Sequence, residues 1–165
     1  MPIDCRVERS ALEDEYELAP AIWEVLYEQA EPEEVAGLVR TLPAGQRALM
    51  VLFEVQTQVD NGGFFQFLDN TERVYVGDLV EAARLVGADR FIPLLQRVVD
   101  LEPDVPPWDA DREGSAAADE LGALDDAFFE LCRGEQDLCD LAVAYVRTHP
   151  DEFFLPAGAT GPPAP

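Results

Sequence analysis

The segment PAGQRALMVLFEVQTQVDNGGFFQFLDN (residues 43–70) decides the fold. Up to Asp60 its apolar residues recur every three or four positions, which is the period of an amphipathic α-helix. Pro43 suits the start of such a helix, because the N–H that proline lacks is not needed there. Two glycines then predict the end of the helix, and three phenylalanines predict a short helix anchored in the core. The segment therefore predicts two helices joined at a tight corner.

The corner combines glycines with polar side chains. A helix end leaves carbonyl groups without partners, and a residue with positive φ just beyond it is the usual solution. We expect Asn61 and Gly62 to supply this conformation, and Gly63 to let the backbone pass close by. Gln58, Asn61 and Gln66 would then satisfy backbone atoms. No Lys or Arg lies in residues 59–67, which argues against a phosphate-binding loop.

The remaining segments are also helical by pattern. Apolar periodicity and helix-opening residues predict helices at about residues 12–30, 32–41, 75–86, 89–102, 119–132 and 135–148. Pro20 interrupts the first of these, so that either one kinked helix or two separate helices fit the pattern. Asp89 is a candidate N-cap, and the proline-rich residues 103–118 predict a long loop.

The predicted fold class is all-α, with no convincing strand pattern anywhere in the chain. We expect a single-domain irregular helical bundle of about seven or eight helices, an acidic domain that spans residues 1–154. The glycine- and proline-rich residues 155–165 predict a disordered C-terminal tail.

Charge is the outlier of the composition. The chain has 34 Asp and Glu against 11 basic residues, a net charge of -23, and every basic residue is Arg. Binding to nucleic acid requires clustered Lys and Arg, so we expect neither nucleic-acid binding nor contact with anionic membranes. A basic protein surface would be attracted instead. Adaptation to high salt or a coding bias explains the same composition, and the sequence leaves these alternatives open.

Residues that carry catalysis are sparse. His149 is the only histidine, and Ser10 and Ser115 are the only serines, so a catalytic triad is not expected. Cys132 and Cys139 are expected to pack as small apolar residues. We predict that the protein is not an enzyme and that it has no catalytic residues, no cofactor and no metal site. An enzyme with a carboxylate-bound metal is the remote alternative.

The cysteines and the N-terminus bear on location. The three cysteines form no CxxC pair, which favours a reducing compartment. The N-terminus has no apolar signal region, and no apolar run has the length of a membrane span. We therefore expect a cytoplasmic protein.

The segment EVQTQVDNGGFFQFLDNT resembles the signature of the DNA-mimic-protein-19-like family, a group of small all-helical bacterial domains. The resemblance continues through LVEAARLVGADRFIPLLQRVV, ALDDAFFELC and LAVAYVRTHPDEFF, so that it covers residues 12–154. It implies an all-helical fold and a structural role for the motif. The motif positions are Gln58, Val59, Asp60, Asn61, Gly62, Gly63, Phe64, Gln66, Phe67 and Asn70.

The resemblance also implies a function, because the named member of that family is a DNA mimic that occupies the DNA-binding surface of a transcription factor. The implied protein is an acidic protein-binding module whose partner is a basic, DNA-binding protein. Mimicry requires carboxylates on rigid helices near the phosphate positions of a duplex. The candidates are Asp69, Glu72, Asp78, Glu81, Asp125, Asp126 and Glu130.

Two further partner hypotheses stay open. An immunity or antitoxin-like protein would use the same acidic surface to cover the site of one specific toxin. A homodimer would form through an apolar patch, for which Trp108 or the pair Phe153 and Phe154 are the candidates.

Overall fold

In the computed structural model, which describes residues 4–158, α-helices follow one another along almost the whole chain. The all-α class predicted above is confirmed. The helices are α1 (Leu18–Tyr27), α2 (Pro32–Thr41), α3 (Ala44–Asn70), α4 (Leu79–Leu85), α5 (Ile92–Leu101), α6 (Ala116–Cys132), α7 (Leu138–Thr148) and α8 (Pro150–Phe153). Short 3-10 turns precede or follow several of them.

Helix α3 is the centre of the bundle, and α1, α2, α4, α6, α7 and α8 all contact it. The five consecutive residues 48–52 are at most 2% exposed. An amphipathic surface helix would leave one face in water, whereas α3 is covered on every side at residues 48–52. The surrounding helices therefore depend on α3 as their shared packing partner.

The start of the bundle resolves the alternatives that Pro20 left open. A 3-10 turn at Glu15–Glu17 precedes a separate helix, α1, and Pro20 lies in the first turn of that helix. A proline there removes no hydrogen bond that the helix needs. Helix α2 occupies the range that Pro32 and the acids after it predict.

Helices α4 and α5 differ in detail from the sequence prediction. Helix α4 begins at Leu79 after a 3-10 turn, and it ends before Gly87, whose φ is +74°. The predicted cap at Asp89 is wrong. Asp89 opens a 3-10 turn, α5 starts three residues later, and no side chain caps α5.

Helices α6 and α7 begin at their capping residues. The Ser115 hydroxyl accepts a hydrogen bond from Ala118 N at 3.3 Å, so α6 starts three residues earlier than predicted. Asp137 and Asp140 form a reciprocal capping box, in which each carboxylate accepts the other residue's N–H, so α7 starts later than predicted. Apolar periodicity does not show these ends, because capping residues are polar.

The C-terminal segment is held against the N-terminus. Val7 N donates to the Phe153 carbonyl, and Leu155 N donates to the Val7 carbonyl, both at 3.0 Å. Phe153 and Phe154 are 0% and 7% exposed, so they are core residues and cannot form the exposed patch proposed for a dimer. Of the predicted disordered tail, residues 159–165 lie outside the described part of the chain.

The corner is a break inside α3 at Gly62 and Gly63, which divides the helix into a first arm (44–61) and a second arm (64–70). Gly62 has an extended φ of -168°, and Gly63 has φ 78° and ψ -179°, a region that is essentially restricted to glycine. The positive φ therefore falls at Gly63, not at Asn61 and Gly62 as predicted. Gly63 also allows the close approach, because a Cβ there would lie 2.3 Å from Asp125 Oδ2. One residue meets both requirements.

Phenylalanines fix the direction of α3 after the break. The Phe64 and Phe128 rings meet edge to face, with centroids 5.4 Å apart, and Phe91 packs on Phe128 at 5.6 Å. All three side chains are fully buried. Burial of each ring contributes about 1.5–3 kcal/mol.

We expect Gly63→Ala to destabilise the fold by about 3 kcal/mol, since it forces a Cβ into a glycine-only conformation and against the Asp125 carboxylate. The matched control is Gly122→Ala, at a site in α6 where a Cβ meets no atom within 4 Å. It should stabilise the protein by roughly 0.5–1 kcal/mol. Urea denaturation followed by circular dichroism measures both, and equal effects of the two variants would contradict the role of Gly63.

Candidate protein-binding surface

Asp125 of α6 closes the break in α3. Its Oδ1 accepts a hydrogen bond from Phe64 N at 2.7 Å. The break leaves this N–H without its intrahelical acceptor, so the carboxylate acts as an N-cap supplied by another helix. Asp125 was a candidate for the partner-binding surface. The structure places it half-buried at the corner, where one of its oxygens is already used.

The environment of Asp125 shifts the pKa of its carboxyl group. Burial raises the pKa of this carboxyl above its ordinary value of 3.8, while the Phe64 N–H acts in the opposite direction and Asp126 adds to the rise. The effect of burial on this pKa is thus larger than the opposing effect of the hydrogen bond. An uncharged acceptor of the same shape would hold the corner without the cost of burying a charge.

Amide side chains of the family motif connect the two arms of α3. Gln58 Oε1 accepts from Gln66 Nε2 at 3.0 Å and from Asn70 Nδ2 at 2.8 Å. Gln58 Nε2 donates to Glu54 Oε1 at 2.8 Å. The prediction that Gln58 and Gln66 satisfy backbone atoms is therefore wrong, since they bond to other side chains. Asn61 is exposed.

Asp60 of the motif acts on α7 through Gln56. Both carboxylate oxygens of Asp60 accept from Gln56 Nε2, at 3.0 and 3.1 Å. Gln56 Oε1 in turn accepts from Leu138 N at 3.2 Å, the first amide of α7. Gln56 is only 4% exposed, and these hydrogen bonds satisfy both the nitrogen and the oxygen of its buried amide.

The loop before α6 is fixed to the second arm of α3. The Trp108 ring lies 5.5 Å from the Phe65 ring, and the Arg112 guanidinium lies 4.2 Å from Phe65 and 5.0 Å from Trp108. Trp108, the other dimer candidate, is 56% exposed. Phe65, Trp108 and Arg112 thus form an aromatic clamp. The loop that it holds, called the clamped loop below, carries three exposed acids, Asp109, Asp111 and Glu113.

Carboxylates form a ridge on the outer face of α6. Asp119, Asp126 and Glu130 are exposed and are spaced by seven and four residues, which places them along one side of a helix. Glu130 pairs with Arg133 at 2.9 Å, but this pair is exposed and contributes little. Asp126 and Glu130 were sequence candidates. The sequence did not predict Asp119 as a candidate, because the predicted helix began at that residue and assigned it to no helix face.

The other candidates lie apart from this α6 ridge. Asp78 lies 3.8 Å from Arg40 and 3.9 Å from Arg47, so arginines already neutralise it. Glu81 lines a cavity of about 340 Å³ together with Arg47 and Arg84. This mixed charge makes the Asp78 region a poor anionic surface.

Asp69 and Glu72 lie at the end of α3 and in the turn that follows it. Both are exposed. Asp69 is one helical turn beyond Phe65, so it is near the clamped loop. Glu72 faces another groove, and its φ of 49° is unusual for a residue with a side chain.

Ion pairing leaves most of the acids uncompensated. In the part of the chain that the structure describes, nine arginines pair with only seven carboxylates. The sequence has 34 acids, so the negative field outside the molecule is strong.

The residues considered for catalysis have structural contacts. The His149 ring stacks on Tyr145 with centroids 3.9 Å apart, and Ser115 caps α6. Burial raises the pKa of Cys5 to about 11 and also raises the pKa of Cys132 and Cys139, so these thiols stay protonated at neutral pH. Among residues 4–158, no group of three or more His, Cys, Asp and Glu side chains is placed to hold a metal ion.

A helix that spans a bilayer must be both long and apolar. Within the described residues, no helix combines the length and the apolar character needed to cross a membrane.

The sequence matches a known protein family. A family model described as DMP19-like protein matches residues 40–149, from the last turn of α2 to the residue after α7. The match covers well over half of the chain. The chain belongs to the DMP19-like family. No curated protein and no solved structure matches the sequence.

The DMP19-like match contains both arms of α3, the clamped loop and the α6 ridge. Helix α1 lies outside it. The break in α3 and its closure by Asp125 lie within the residues that the DMP19-like model matches.

The Asp125–Phe64 contact predicts the outcome of two substitutions. Asp125→Ala removes the acceptor of a buried N–H and should cost about 1–3 kcal/mol of stability. Asp125→Asn keeps an acceptor oxygen and should lose much less at pH 7. Urea denaturation of both variants checks this, and equal losses would show that the hydrogen bond is not what Asp125 contributes.

The raised pKa of Asp125 predicts the pH dependence. Between the unfolded value of 3.8 and the raised folded value, the folded chain binds more protons at this site, so its contribution to stability falls as pH rises. Measured from pH 4 upward, wild type should lose stability relative to Asp125→Asn until the folded pKa is passed. A difference that does not change with pH would contradict the shift.

Proposed function

We propose that this chain is an acidic protein-binding module that occupies the DNA-binding surface of a basic, transcription-factor-like protein. The observation that carries the proposal is the α6 ridge, in which Asp119, Asp126 and Glu130 are exposed along one rigid helix. Membership of the DMP19-like family is consistent with this function.

The spacing of the charges is a first test of the proposal. Residues four and seven apart on a helix are separated by about 6 and 10 Å along its axis. A duplex carries one phosphate per strand for about every 3.4 Å of axis. The ridge alone is therefore sparser than a phosphate strand, and a mimic would need the neighbouring carboxylates as well.

Those carboxylates are on elements that pack against the second arm of α3. The clamped loop carries Asp109, Asp111 and Glu113, and the arm itself carries Asp69. Phe65 contacts the loop, and Phe64 contacts α6 through both its ring and its amide. The bend in α3 thus brings the loop and the ridge to the same part of the bundle.

The mechanism would be competitive occupation. Carboxylates on the ridge and the loop would pair with Arg and Lys side chains that otherwise contact phosphates. The net charge of -23 would speed encounter with a basic surface. Salt would weaken the complex, because the Debye length falls from about 10 Å at 0.1 M to about 3 Å at 1 M.

We expect immobilised protein to retain basic DNA-binding proteins from a bacterial lysate at 0.1 M salt and to release them when duplex DNA is added. The triple variant Asp119→Asn, Asp126→Asn, Glu130→Gln should lose most of this retention, because it neutralises the ridge. Mass spectrometry of the DNA eluate identifies the proteins.

The matched control is Glu8→Gln, Glu13→Gln, Asp151→Asn, which removes the same charge from three exposed sites on the N- and C-terminal segments. It should retain partners as the wild type does. Equal losses in the two triple variants would mean that only the bulk charge acts. Retention of a single protein that duplex DNA does not displace would contradict mimicry and would favour the immunity hypothesis.

A further inference from the structure

An open groove lies where α1 and α2 meet the end of α3, away from the residues of the α6 ridge. Its volume is about 500 Å³. Aromatic and acidic side chains share its lining, and none of the described residues that line it is basic. The lining residues that matter here are Trp23, Tyr27, Tyr75, Glu54, Glu72 and Asn70.

The aromatic wall presents ring faces and a free hydroxyl. Trp23 and Tyr27 are one turn apart on α1 and stack with centroids 5.8 Å apart. Tyr27 is 55% exposed, whereas Tyr75 is only 5% exposed. Among the side chains that the structure describes, none forms a hydrogen bond with the Tyr75 hydroxyl. Burial raises the pKa of Tyr75, with a further contribution from Glu54, so this hydroxyl stays a neutral donor and acceptor.

The acidic wall is held in place by the family motif. Glu54 Oε1 accepts from Gln58, whose own oxygen accepts from Gln66 and Asn70. Among the described side chains, the second oxygen of Glu54 has no such partner. Glu72 is held in its left-handed conformation by the turn after α3, in which Arg73 N donates to the Leu68 carbonyl at 3.0 Å.

Arg40, which contacts the lining residue Val74, already has partners. The Arg40 guanidinium donates to the Val74 carbonyl, and it lies 3.8 Å from Asp78. The described lining of the groove therefore has two carboxylates, aromatic rings and the Tyr75 hydroxyl, and it includes no Arg or Lys. A planar cation complements this combination better than a neutral or an anionic group does.

The same chain shows the chemistry elsewhere. The Arg112 guanidinium lies over the Phe65 and Trp108 rings at 4.2 and 5.0 Å. There the cation is internal and the aromatic pair is satisfied. The stacked aromatic pair on α1 shares its groove with two carboxylates, and the described lining of that groove includes no guanidinium.

We infer that the groove binds an arginine side chain of the basic protein partner, with the guanidinium on the Tyr27 and Trp23 rings and its N–H groups directed at Glu54 and Glu72. This inference rests on the proposed function for the identity of the partner. It adds a specific pocket to a surface that would otherwise act through charge alone. Helix α1, which carries Trp23 and Tyr27, lies outside the residues that the family model matches, whereas Tyr75 lies within them.

The test uses N-acetyl-arginine amide as the probe and N-acetyl-citrulline amide as its neutral, equally shaped control. The protein carries Trp108→Phe, which leaves Trp23 as the only tryptophan. At about 150 mM salt, where surface charges are screened beyond ~8 Å, the arginine probe should change Trp23 fluorescence saturably. The citrulline probe should not.

Two variants locate the site. Tyr27→Ala should weaken arginine binding by about threefold or more, through the lost cation–π contact. Glu72→Gln should weaken it by about threefold, through the lost charge. Asp89→Asn removes an equal exposed charge elsewhere and should leave the affinity unchanged. Circular dichroism checks that all three variants fold.

Three results would overturn the inference: no saturable change, equal binding of the citrulline probe, or an equal loss in Asp89→Asn and Glu72→Gln. None of these touches the proposed function, which the lysate experiment tests through the α6 ridge. Conversely, arginine binding in the groove without any partner released by duplex DNA would remove the proposed function and keep the groove.

Discussion

The bend in α3 depends on a hydrogen bond between segments that lie 61 residues apart in the sequence. A helix that breaks must provide new partners for the backbone groups that it frees. Here Gly63 adopts a conformation that only glycine accepts readily, and Asp125 approaches its Cα closely enough to accept from Phe64 N. The contact needs the absence of a Cβ on one helix and a carboxylate on the other, so the two residues work as a pair.

From this bend follow the positions of both surfaces considered for binding. Phe65 on the second arm holds the acidic loop through Trp108 and Arg112, and α6 is fixed to the same arm. In the other direction, Gln58 reaches across the break to Gln66 and Asn70 and thereby orients Glu54 in the groove. The motif residues have structural roles, and the surfaces that they hold in place are acidic.

Sequence reasoning reached the all-helical class because apolar periodicity is a property of each segment alone. It also located the corner, since two adjacent glycines after a strong helical pattern favour a break in the helix. It placed the positive φ one or two residues too early, because φ depends on the approach of Asp125 from a distant helix. For the same reason Asp125 was predicted to face solvent. Asp119 was missed because the cap at Ser115 lies beyond the apolar pattern. The groove could not be predicted, since Tyr27, Glu54 and Glu72 come together only through tertiary packing.

Amide hydrogen exchange at Phe64 tests the closure of the bend most directly. If the Asp125 carboxylate holds this buried N–H in the folded state, the amide should exchange only when the whole protein unfolds, as slowly as the central amides of α3. Exchange of Phe64 at the rate of an unprotected amide, while the rest of α3 stays protected, would show that the break is not closed by Asp125.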